Sequence, residues 1–416
     1  MTDKQTTGYR ALFEIPPARR LALAAVPADF SDWLDYAAVV ALLVFVWGEG
    51  PFTLAVFAFC LTLPYVVVGP LVAVIVDRVP LRPVLVLSNF GRALATLALI
   101  FAPNTLAVLA IVFLRACIDS AFGPARQAAI QATTPSALLA KANGLHHAIN
   151  QCSKIAGPAL GGLLLTTMPV QSVMGINVMI SLLAAVLIFT VALPPRTPEL
   201  SSDSSSFRDT FLAGIVEFKK KPLAIALAFS AFAYFSFFLY DALIAVLTEN
   251  LGLGVALFGL GISASGAGGI LGALLAGWVS VDRAIRSMAA AAVLTGVVAS
   301  LLGVAWFMRW DMVPALYLIA LALMGGSTAF MLVPYRTVVQ SHTPDNKIAR
   351  VFAAGDAITM AVMLSAPFLG STIAAHYGVG AAFLAGGILV ALLGLFSLLG
   401  SFLSFLFRGS TPLPGR

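Results

Sequence analysis

The chain has 416 residues, 60% of them hydrophobic and only 10% charged, with a formal net charge of +6. A water-soluble protein needs about 25% charged residues, so the main solvent here is lipid and an ordinary cytosolic enzyme is excluded. Spanning a bilayer takes roughly 20 apolar residues. Twelve such runs fill the chain, near 21–47, 52–76, 83–102, 104–123, 144–168, 171–193, 222–248, 255–280, 285–308, 312–334, 351–375 and 379–407. The expected fold class is an all-α membrane protein of twelve transmembrane helices in two six-helix bundles. The first bundle covers 1–193 with a short N-terminal segment, a cytoplasmic linker covers 194–221, and the second bundle covers 222–416.

Orientation follows from the 24 Lys and Arg. Nearly all lie in the two termini, the even-to-odd loops and the linker, and the opposite loops hold only Arg309. The positive-inside rule therefore puts both termini and the linker in the cytoplasm. The net positive charge reports topology, and no nucleic-acid partner is expected. Arg10, Arg19 and Arg20 precede an apolar run that contains Asp29, Asp32 and Asp35 and lacks a small-residue cleavage site, which reads as an uncleaved first helix.

The three aspartates of that first span share one helical face at three-residue steps. Asp29, near the cytoplasmic end, is expected to be solvated there. Asp35 lies some fifteen residues beyond Arg20, hence near mid-membrane, and is the carboxylate to watch. After the second span, Asp77, Arg78 and Arg82 form either a breakable cytoplasmic latch or an ordinary positive-inside loop. Arg92 in the third span has no partner within its own segment.

In the fourth span Arg115 and Asp119 are neighbours four residues apart, and Arg126 returns to the same stripe. They form either an internal salt bridge that makes Arg115 tolerable in lipid or part of a transport pathway. The fifth span carries a polar stripe of Asn143, His147, Asn150, Gln151 and Lys154 that continues into Pro158 and Gly161, so this face looks onto a cavity or a polar neighbour. Gly157 and Pro158 permit a kink, and Gly161 and Gly162 permit close helix approach.

In the seventh span Tyr234, Phe237 and Asp241 are expected on one face. An aromatic wall beside a carboxylate suits a bulky, lipophilic and cationic solute, while plain packing is the commoner use of such residues. The eighth span has Gly261, Ser265, Gly269, Ala273 and Gly277 at four-residue steps, a small-residue seam. Cys60, Cys117 and Cys152 fall within spans, and no disulfide or metal-ligand spacing is present. No phosphate-loop motif occurs, so neither ATP nor any other cofactor is expected.

The halves repeat. Asp77, Arg78 and Arg82 recur as Asp282, Arg283 and Arg286, and Asp35 recurs as Asp241. Pro124 and Arg126 recur as Pro334 and Arg336, and Thr134 and Pro135 as Thr343 and Pro344. Two related bundles follow, with a solute site expected between them near mid-bilayer. On this alignment Asp356 takes the repeat position of His147.

These features resemble the major facilitator superfamily over nearly the whole chain. Gly69 through Arg82 is similar to that family's signature between spans two and three, and Arg115 to its fourth-span arginine, with Asp119 where a glycine is usual. Gly157, Pro158, Gly161 and Gly162 resemble the fifth-span signature of drug:proton antiporters. The segment Gly123 to Ile130 with Lys141 to Leu145, and Ser31 with Asp35, resemble the subgroup that includes macrolide and siderophore exporters.

The resemblance implies two bundles about a pseudo-two-fold axis and a monomer in the bacterial cytoplasmic membrane that exports an amphipathic, drug-like or siderophore-like molecule in exchange for protons. On this reading Asp35 and Asp241 carry protonation or cation recognition, with Tyr234 and Phe237 beside the latter. Arg115 and Asp119 form the coupling network. Asp77, Arg78, Arg82 and Arg126, with Asp282, Arg283 and Arg336, form the cytoplasmic gate. Movement of lysophospholipid or other lipid, proton-coupled nutrient uptake and a non-transporting receptor are the rival readings; the last predicts binding without flux.

Overall fold

The structure, a computed structural model, describes residues 9–76, 79–193, 216, 218–280, 283–343 and 348–408. Among them every regular element is helical. The first is α1 (Tyr9–Glu14), followed by α2 (Pro16–Ala41), which a π-helical turn at Leu42–Val46 extends. Next come α3 (Pro51–Val76), α4 (Leu81–Ile100), α5 (Thr105–Thr133), α6 (Leu139–Leu164) and α7 (Val170–Phe189). Later in the chain lie α8 (Lys221–Phe238), a 3-10 turn (Asp241–Leu243), α9 (Ile244–Asn250) and α10 (Gly254–Ala276). The last four are α11 (Ala284–Phe307), α12 (Pro314–His342), α13 (Ile348–Tyr377) and α14 (Val379–Arg408).

Local chemistry sets several of these boundaries. Proline stands in the first turn of α2, α8 and α12, where its missing N–H would have had no helical partner. The Asn104 side chain accepts the Ala107 N–H at 2.9 Å and caps α5. Thr134 and Thr343, each before a proline, are extended and end α5 and α12. Those two helices are both 29 residues long, as expected of repeats.

Ten helical segments are long and apolar enough to cross a membrane, with α8 and α9 counted as one. The remaining two long helices, α2 and α6, are each 26 residues. They fall short in hydropathy because α2 carries three aspartates and α6 carries the His, Asn, Gln and Lys stripe. Such helices stay in a membrane by turning their polar faces onto protein or a water-filled cavity.

The chain divides into two compact units: Met1–Glu49 with Val56–Ser202 and Gly254–Ser263, and Gly50–Ala55 with Asp203–Leu253 and Ala264–Arg416. In the first unit α2 packs on α6 and α7, and α4 on α5 and α7, around a core that includes Ala24, Ala28, Leu85, Phe122 and Ala125. The approach of α2 and α6 is close: a Cβ added to Gly157 would lie 2.7 Å from the Trp33 Cβ, and one on Gly161 2.9 Å from Leu34 Cδ1. α6 runs unbroken through Pro158. Gly162 meets Gly259, whose own added Cβ would overlap the Pro158 carbonyl oxygen.

In the second unit α11 packs along α12 and α14, and α8 on α12, α13 and α14. Its core includes Phe229, Met288, Val339 and Val351. The seam on α10 differs from the expected one. Gly268 and Gly272 meet α12, where added Cβ atoms would overlap the backbone oxygens of Ala322 and Gly326. Ser265 belongs to this contact through Gly325. A four-residue step drifts around a 3.6-residue helix, so a face that holds one neighbour over two turns mixes three- and four-residue steps.

Candidate functional site

The site grows from the stripe on α2. Asp29, Asp32 and Asp35 meet α5, whose Arg126 and Arg115 oppose them in reverse order. Arg126 Nη1 donates to Asp29 Oδ1 at 2.6 Å. Arg115 Nη2 donates to Asp32 Oδ1 at 2.7 Å, and its Nη1 lies 2.7 Å from Asp35 Oδ2. The planar guanidinium thus bridges two carboxylates one helical turn apart, a task its fork of donors suits better than an ammonium.

Asp35 is fully buried. Its other oxygen accepts from Thr96 of α4 and from Asn177 of α7, each at 3.0 Å. Three helices besides its own therefore hold this carboxylate. Asp32 differs, since 41% of its side chain is exposed.

Asp119 is shared. It accepts a short hydrogen bond from Arg92 Nε of α4, and Arg115 Nε stands 3.9 Å from its second oxygen. The i,i+4 pair expected within α5 is thus its weaker contact, and Arg92 finds its partner across the helix interface. Asp29, expected to be solvated, is buried against Arg126. The Phe122 ring lies between two of the cations, 4.4 Å from the Arg92 Cζ and 5.5 Å from that of Arg126. The Lys154 Nζ of α6 sits 5.2 Å from the Trp33 ring centroid.

The cluster holds four aspartates and three arginines, one negative charge in excess when all are ionised. Asp32, Asp35, Arg115 and Asp119 line a cavity of about 160 Å³ whose other walls include Trp33, Tyr36, Phe57 and Tyr65. Pockets for drug-sized ligands are roughly 300–1,000 Å³, so this cavity is smaller than those.

Other expected residues lie elsewhere. Arg82 Nη2 donates to the Val191 oxygen at 2.7 Å and Arg20 Nη1 to the Thr190 oxygen at 3.0 Å, so both cap the end of α7. Asp77, Arg78 and Asp282 lie outside the described residues, as does the Asp356 side chain on α13. Arg283 and Arg336 are exposed. On α6 His147 is exposed, and Asn150, Gln151 and Lys154 are half-buried.

In the second unit the seventh span is not one continuous α-helix. α8 ends at Phe238 and Asp241 opens a 3-10 turn. Tyr234 stacks on Phe238 with centroids 6.1 Å apart, and Phe237 packs edge-on to Tyr240 at 5.6 Å. Asp241 is half-buried. Sequence reasoning misses Asp32 as a site residue, and Arg92, Thr96 and Asn177 with it. Their signal is periodicity: Ser88, Asn89, Arg92 and Thr96 fall on one face of α4, and Asn177 and Ser181 on one face of α7.

A family model described as Major Facilitator Superfamily matches residues 21–356. The chain belongs to this superfamily. Among its major facilitator relatives, the uncharacterized MFS-type transporter YfiS of Bacillus subtilis (strain 168) is 27% identical over 382 residues, 90% of each chain. Macrolide efflux protein A of Enterococcus faecalis is 25% identical over 150 residues, 35% of this chain and 46% of that protein. Two solved structures share the fold. One is a point mutant of the nucleoside transporter NupG, with a TM-score of 0.73 and 12% identity over 92% of this chain and 99% of that one. The other is a bacterial homologue of the iron transporter ferroportin in the inward-facing state, at 0.69 and 14% over 92% and 98%. This major facilitator protein is therefore an integral membrane transporter of a small molecule and not an enzyme.

Proposed function

We propose that the protein is a secondary exporter that exchanges an amphipathic, cationic small molecule for protons by alternating access. The observation that carries this reading is Arg115 held between the fully buried Asp35 and the half-exposed Asp32 at the cavity. A buried cluster one negative charge in excess is costly, and either a proton or a cationic head group relieves it. Protonation of Asp35 frees Arg115 to turn its charge onto Asp32 and Asp119, which weakens their hold on a bound cation. Binding of the cation at Asp32 in turn favours loss of the proton. Competition of this kind is antiport.

Trp33, Tyr36, Phe57 and Tyr65 offer the apolar and π surfaces that an amphipathic cation needs. The local likeness to macrolide efflux protein A supports export of drug-like solutes. The proposed setting is the bacterial cytoplasmic membrane, with a monomer whose termini are cytoplasmic.

The test is a reconstitution in liposomes with an imposed pH gradient, measuring efflux of a macrolide and of a lipophilic cation together with proton movement. Wild type should couple the two fluxes, and Asp35→Asn should abolish the coupling. Unchanged coupled flux in Asp35→Asn overturns the assignment.

A further inference from the structure

The second unit carries an apolar groove of about 630 Å³ bounded by α10, α11 and α12. Its floor is the contact of Gly268 and Gly272 with α12, and its walls include Leu271, Leu294, Leu323 and Phe330. The two hydroxyls that line it are already engaged: Ser287 donates to the Ala284 oxygen at 2.8 Å and Ser327 to the Leu323 oxygen at 2.6 Å. The groove therefore suits a purely apolar occupant. From Ile319 to Phe330 it follows α12 for about 16 Å, close to the roughly 15 Å hydrocarbon depth of one leaflet.

One end of the groove is different. Ser287 lies in the first turn of α11, and Arg283 and Arg286 are exposed beside it. Neither has a carboxylate partner among the described residues. Just past the end of α10, Trp278 is 85% exposed, as befits a residue at the headgroup level. An apolar slot one leaflet deep thus ends at two cations and an interfacial tryptophan.

We propose that this groove is a site for an anionic glycerophospholipid, with one acyl chain along α10 to α12 and the phosphate at Arg283 and Arg286. Anionic lipids are favoured because a zwitterionic headgroup brings its own ammonium to offset the phosphate.

Native mass spectrometry of the full chain in detergent tests this, with dioleoylphosphatidylglycerol, dioleoylphosphatidylcholine and glycerol 3-phosphate as separate probes. The phosphatidylglycerol adduct should exceed the phosphatidylcholine adduct, and glycerol 3-phosphate alone should not be retained. The Arg283→Gln/Arg286→Gln variant should lose the preference, by roughly fivefold for each guanidinium. Ala290→Phe, which fills the groove, should weaken both lipids while the melting temperature stays at that of wild type. Equal adducts of the two lipids in wild type overturn the proposal. So does a preference that survives the double variant, retention of glycerol 3-phosphate equal to that of the lipid, or lipid binding unchanged by Ala290→Phe.

Discussion

The two units repeat one sequence plan yet are held together differently. The first buries Asp29, Asp35, Asp119, Arg92 and Arg115, whereas among the described residues of the second no Asp, Glu, Lys or Arg is buried. Both use glycines that bring helices close, and the second relies on them without buried charge, as where Gly296 meets Gly387 and Gly303 meets Gly380. Buried ion pairs add little net stability, because desolvation offsets their attraction. Close apolar packing has no such opposing cost. The first unit thus keeps a charged cluster that stability alone does not require, in keeping with the coupling role proposed for it. Asp35 and Asp241 show the contrast at one repeat position: the first is gripped by Arg115, Thr96 and Asn177 within a continuous helix, the second opens a 3-10 turn.

Five substitutions probe this division. Arg115→Gln has the largest expected effect, since it leaves Asp32 and Asp35 without their shared cation. Loss of one member of a buried pair costs about 3–5 kcal/mol, to be seen as a lowered melting temperature in detergent. Adding Asp35→Asn to that variant should recover part of the loss, and no recovery would show that the two groups are not coupled.

Gly272→Ala tests the packing unit. Its new Cβ would overlap the Gly326 backbone oxygen, so about 1–3 kcal/mol of destabilisation is expected in the same melt. Asp241→Asn should leave proton-coupled flux within about threefold of wild type, about 0.7 kcal/mol or less, where Asp35→Asn abolishes the coupling. Equal losses in liposome assays would erase the proposed asymmetry. Asp29→Asn has the smallest effect, because its partner Arg126 keeps a fifth of its side chain accessible to solvent. About 1 kcal/mol or less is expected, checked by chemical denaturation.

Much of this was legible in the chain itself. Apolar run length established the helices, and the offsets between Pro124 and Pro334 and between Thr134 and Thr343 established the repeat, because a turn before proline is a local matter. The polar faces of α2 and α6 were also visible, since 3.6-residue periodicity is written in residue order.

Partnership was not legible. Sequence spacing suggested Asp119 for Arg115, but the fold gave Asp119 chiefly to Arg92 and brought Asp32 and Asp35 to Arg115. The break after Phe238, which puts Asp241 in a 3-10 turn, was likewise not legible. Helix periodicity says which side of a segment is polar. Which charges meet depends on the angle and depth at which whole helices cross, and those are set by contacts such as Gly157 on Trp33, far apart in the chain.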